Sequence, residues 1–115
     1  MNRLKRKCLI KILINVIHSC LEANYLKYVD FFLSIAYSII QQQRAIEFFN
    51  DKLFLDYEYG CYLLMTGDQK EGQKLIKNVI VIFSLSGHDD LDKFQQNYNK
   101  IIIKINKAEN ESKYF

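Results

Sequence analysis

Two apolar runs of helical spacing meet at Thr66-Gly67-Asp68, inside residues 59–85, and the glycines around that junction are set at spacings that few folds can use. Gly67 supplies the left-handed residue that commonly ends a helix. Asp68 is placed to cap the next helix by accepting its first free amide protons. Gly60 stands seven residues before the turn and Gly72 five after it. A glycine inside a helix costs about 1 kcal/mol against alanine, so two of them imply close backbone packing or function. Folding the chain back at Gly67 brings Gly60 and Gly72 to a similar height, where two antiparallel helices can touch. The stretch reads as a helix hairpin.

The rest of the chain can pack around that hairpin. With 115 residues it is one domain with a modest core. Half the residues are hydrophobic, and there is no proline. Long periodic apolar runs without proline predict an all-α fold of antiparallel helix hairpins, about five helices in all. The first spans about 3–20, with Leu4, Cys8, Leu9, Ile12, Leu13, Val16, Ile17 and Cys20 inward. Asn24 is the expected cap of the second, at about 25–42, which buries Leu26, Val29, Phe32, Leu33, Ala36 and Ile40. The third, about 45–65, carries Ile46, Phe49, Leu53, Tyr57 and Leu64. The fourth, about 69–85, turns Leu75, Ile76, Val79, Ile80 and Phe83 inward and stops at Ser86-Gly87. Asp89 or Asp90 then caps a fifth helix at about 90–106, with Leu91, Phe94, Tyr98, Ile101, Ile102 and Ile105 at helical spacing. A single helical-repeat domain over 1–107 and a polar tail over 108–115 are expected.

Charge is unevenly placed. Arg3, Lys5, Arg6, Lys7 and Lys11 give the first eleven residues five positive charges and no negative one, leaving eleven basic against thirteen acidic residues beyond. A basic start before Cys8-Leu9-Ile10 has the outline of a secretion signal, and Ile17-His18-Ser19-Cys20 faintly that of a lipoprotein site. Lys11 and Asn15 interrupt the apolar centre that such a signal needs. Instead Arg3, Lys7, Lys11, Asn15, His18 and Glu22 draw a polar stripe down one side of a helix. No run reaches the roughly 18 apolar residues of a membrane span. A cytoplasmic protein is expected, with no membrane partner.

The chemistry-bearing residues are sparse. Cys8, Cys20 and Cys61 form no CxxC pair, and His18 and His88 add no zinc spacing, so free thiols and no metal or other cofactor are expected. His88-Asp89-Asp90 is the one local acid–base grouping, and it reads as a helix start. Asp56 and Glu58 flank Tyr57 on different sides of a helix, which makes them no catalytic pair. No enzyme is expected.

Two long helix pairs with a period of about 45 residues resemble tetratricopeptide and related repeats. Gly60, Gly67-Asp68 and Gly72 fall where those motifs place small packing residues and the inter-helix turn, though the motif's tryptophan and terminal proline are absent. A closer resemblance lies in the order of pieces. Ile12-Leu13-Ile14-Asn15-Val16-Ile17 and Ser19-Cys20-Leu21 come first. Tyr62-Leu63-Leu64-Met65-Thr66-Gly67-Asp68-Gln69-Lys70-Glu71-Gly72 then leads into Ile80-Val81-Ile82-Phe83-Ser84-Leu85-Ser86-Gly87, an acidic turn and a last amphipathic helix. This resembles the C-terminal region of the Rgg/GadR/MutR transcription regulators of low-GC Gram-positive bacteria, over about 9–105 and best over 60–85.

Those regulators join a helix-turn-helix domain to a repeat domain that binds short signalling peptides and dimerises. The resemblance therefore implies the peptide-sensing and dimerisation part of such a regulator, without the DNA-binding part and without sequence-specific DNA contacts. Peptide would lie on the surface made by the first helix of each pair, and Asn15, Phe54, Tyr57, Cys61 and Leu64 are the candidate residues there. The last four also suit core packing, and Asn15 suits solvent as well as ligand. Gly60, Gly67, Asp68, Gly72 and Gly87 are the candidate packing and turn residues. Apolar residues in excess on the first helix, and Ile101, Ile102, Ile103 and Ile105 on the last, point to a homodimer or a heterodimer with a full-length relative. Small helical bacteriocin immunity proteins match the length and the basic start, and a gene remnant without a role matches the missing half; both stay open.

Overall fold

The computed structural model describes residues 2–87 and 91–112, with the backbone alone at Leu91, Ile105 and 108–112. Five helices follow one another: α1 (Arg3–Glu22), α2 (Leu26–Gln41), α3 (Phe49–Met65), α4 (Gln69–Ser86) and α5 (Leu91–Ser112). No strand occurs among the described residues. α1 and α2 form one antiparallel hairpin, α3 and α4 a second, and α5 adds a single helix. α3 is central, packing on each of the other four, whereas α1 and α5 flank it without packing on each other among the described residues. That staircase is tetratricopeptide-like. The expected all-α class and helix count hold.

Both hairpins turn by the same device. Asn24 (φ 62) and Gly67 (φ 100) take the left-handed position after α1 and α3. Tyr25 N–H then bonds the Cys20 carbonyl at 2.8 Å, and Asp68 N–H the Leu63 carbonyl at 2.9 Å, the six-to-one bond of a Schellman end. Asn24 therefore ends α1 rather than capping α2. Tyr25 and Asp68 occupy the following N-cap positions with matching backbones, and neither makes a side-chain cap bond. Asp68 offers its backbone carbonyl to Gly72 N–H at 3.1 Å instead. Its ψ of 68 is well short of the fully extended geometry of a side-chain cap.

The offset between these turns, 67 − 24 = 43, is the period of the molecule. Buried Val29, Leu33, Ala36 and Ile40 of α2 map by it onto buried Gly72, Ile76, Val79 and Phe83 of α4. Within the second hairpin the glycines meet. A Cβ on Gly72 would stand 2.8 Å from the Gly60 carbonyl oxygen and 3.0 Å from Leu64 N, and one on Gly60 would stand 3.0 Å from the Gly72 carbonyl oxygen. Gly87 (φ 66) ends α4 in the left-handed region. His88, Asp89 and Asp90, with the expected caps of α5, lie outside the described residues. α5 itself runs on to Ser112.

Three boundaries or faces differ from expectation. α3 starts at Phe49, not near residue 45, because Phe48 turns in to be buried under Lys7, whose Nζ lies 5.2 Å from its ring centre. Ile46 and Phe49, expected inside, are left exposed there. In α1 the buried residues are Ile10, Leu13, Ile17 and Leu21, while Leu4, Cys8 and Ile12 are exposed. α1 is apolar around most of its circumference, so the helix rotates to meet both α2 and α3. Its single polar stripe borders α3, where Lys7 lies over Phe48 and His18 bonds Glu58.

Candidate functional site

The three first helices make a groove. α3 is its floor, with Phe54, Tyr57, Glu58, Cys61 and Met65; α1 is one wall and α5 the other. It comprises two adjoining hollows of about 340 and 260 Å³ that share His18, Glu22, Glu58, Asn97 and Lys100. Asn15, Phe54 and Tyr57 line the first hollow and Cys61 the second. Four of the five candidate peptide-binding residues are thus brought together. Leu64 is not among them: it packs against Gly72, its Cγ 3.0 Å from where a Cβ would stand. Three residues beyond Cys61 is 60° short of a full helical turn, which swings Leu64 from the groove to the α4 side.

Two polar locks hold the walls to the floor. His18 Nδ1 lies 2.9 Å from Glu58 Oε1 on α3, and its Nε2 lies 2.9 Å from Glu22 Oε1 one turn along α1. Two carboxylate acceptors ask for two N–H donors, which only the imidazolium supplies. The Glu58 bond, opposed by partial burial, raises the His18 pKa to about 8. On the other wall Tyr57 O–H donates to the Phe94 carbonyl at 3.2 Å and accepts from Asn97 Nδ2 at 3.0 Å. The Tyr57 and Phe94 ring centres are 4.7 Å apart, and Phe94 also stacks on Phe83 at 5.1 Å beside Phe54.

Burial pushes the Tyr57 phenol and the Cys61 thiol far up, so both stay protonated and the thiol is a poor nucleophile. Among the described residues no three His, Cys, Asp or Glu side chains are grouped to hold a metal ion. Asp56 faces away from Glu58, accepting from Tyr37 O–H at 2.6 Å and Lys52 Nζ at 3.1 Å. No described helix is long and apolar enough to cross a membrane.

His18, Glu58 and Asn97 went unnamed as site residues at the level of sequence. Glu58 carries a signal all the same: a carboxylate within the apolar run of α3, at a position that ends 6% exposed, needs a partner. Comparison of the chain with family models, with curated proteins and with solved structures finds no match in any of the three.

Proposed function

We propose that the chain is a peptide-binding, self-associating helical-repeat module, of the kind that senses signalling peptides in Rgg-type transcription regulators. The observation that carries this is the groove between α1, α3 and α5. An extended peptide must have its backbone N–H and C=O groups met, and helices have none to spare. Side-chain amides, each with a donor and an acceptor, meet them. Asn15 stands on one wall and Gln96 and Asn97 on the other, above a floor of Phe54, Tyr57 and Met65. The floor from Phe54 to Met65 is about 17 Å long at 1.5 Å per residue, room for about five extended residues.

The test is fluorescence anisotropy with labelled pentapeptide pools, on the wild type and on Asn15→Ala with Gln96→Ala. Binding that weakens about tenfold in the double variant, at an unchanged melting temperature, supports the reading. Pools that bind neither protein, or both equally, remove it.

A further inference from the structure

The two walls of the groove differ in charge, and this extends the peptide-binding reading on which it rests. On α5, Lys93, Lys100 and Lys104 lie along the side facing α1 and line the groove. None of them forms a salt bridge with a described residue. Lys100 and Lys104 have no acid three or four positions away to pair with, since those positions hold Gln96, Asn97, Ile101, Ile103, Lys107 and Ala108. On α1 and α3 the carboxylates of Glu22 and Glu58 share one imidazolium, His18, which leaves that side with one net negative charge. The groove therefore holds two uncommitted cations, Lys100 and Lys104, beside an apolar floor and an opposite wall with one net negative charge, while Lys93 has Asp90 and Asp89 three and four positions before it.

From this we infer that the groove selects acidic peptides: extended segments of about five residues whose carboxylates pair with Lys100 and Lys104 while apolar side chains rest on Phe54, Tyr57 and Met65. The carboxylates can belong to side chains or to a peptide's C-terminus. A nucleic-acid strand fits less well. Its phosphates run its whole length and would meet Glu22 and Glu58 on the other side.

Four N-acetylated pentapeptides test this on the full chain by calorimetry. One alternates leucine and aspartate and is C-amidated; one alternates leucine and asparagine with a free carboxylate. The third is the asparagine peptide amidated, and the fourth replaces aspartate by lysine. Five-nucleotide oligothymidylate is the competitor. The aspartate or the free-carboxylate peptide should bind about tenfold tighter than the neutral one, and whichever does identifies the source of the carboxylate. Lys100→Glu with Lys104→Glu should abolish that preference. Lys70→Glu with Lys74→Glu, the same charge change outside the groove, should preserve it. If the neutral peptide binds as well as the acidic ones, the charge selection is wrong and peptide binding stands. If no peptide binds, both fall. Oligothymidylate displacing the acidic peptides at lower concentration would overturn the inference in favour of a nucleic-acid groove.

Discussion

His18 carries two carboxylates on one ring, so its charge is a structural component of the α1–α3 junction. Its pKa is raised from 6.5 to about 8, which means the folded state holds the proton more tightly than the unfolded chain. The stabilisation is fully present below pH 6.5 and is lost as pH rises through 8. The ring side chain is 40% exposed, so solvent screening trims the effect to about 1 kcal/mol. Melting temperature should therefore fall between pH 6.5 and 8.5 in the wild type, and that slope should flatten in His18→Gln; an equal slope in both proteins would remove His18 from this role. Removing the partner altogether is more costly. His18→Ala strands a Glu58 carboxylate that is 6% exposed, and chemical denaturation should show a loss of about 3 kcal/mol. Adding Glu58→Leu should recover most of it, since the buried charge is then gone.

The hairpins are the unit at which sequence and structure agree best. Gly60 and Gly72 point to their own contact, because glycine inside a helix costs stability that close packing can offset, and the structure puts each where a Cβ would strike backbone. Gly72→Ala should gain about 1 kcal/mol of helix propensity and lose more to a forced separation of α3 from α4. A net loss of about 2 kcal/mol by denaturant unfolding is expected; a neutral result would mean the helices part freely. The other hairpin was less legible. Asn24 was expected to cap a helix, yet it ends one in the left-handed region, a role that asparagine fills with less ease than glycine. Asn24→Gly should leave stability unchanged or slightly raised, whereas Asn24→Ala should cost about 1 kcal/mol, and equal effects of the two would deny the left-handed requirement. The faces of α1 differ from those its spacing predicts for a physical reason. With apolar residues nearly all round, its rotation is decided by where α3 lies, and so Ile10 and Leu21 are buried in place of Leu4 and Ile12. The groove was half legible for the same kind of reason. Asn15 could be placed from its polar stripe, but the His18–Glu58 bond joins residues forty apart, which no local pattern contains.

At the scale of the molecule, the repeat leaves an edge. The radius of gyration is 15.0 Å and the extents are 55 × 32 × 19 Å, against about 13 Å for a compact domain of this length; the chain is a slab, and slabs of stacked hairpins have ends. Leu55 of α3 is fully buried, and the same register one period earlier, 55 − 43 = 12, is Ile12, which is 58% exposed. The first hairpin thus presents, uncovered, a position that the second hairpin buries. Tyr28 and Phe31 of α2 are exposed as well. Apolar surface of this kind usually finds a partner, and a second copy is the partner always present at matching concentration. Light scattering after size exclusion should give a dimer for the wild type and a monomer for Ile12→Glu. The variant should keep its helical circular dichroism and its melting temperature at low concentration, because Ile12 contributes little to the fold within one chain. Leu55→Glu, the same change one period on, should instead unfold the protein. A wild type that stays monomeric at high micromolar concentration would mean that the edge is tolerated in water and that self-association is no part of the function.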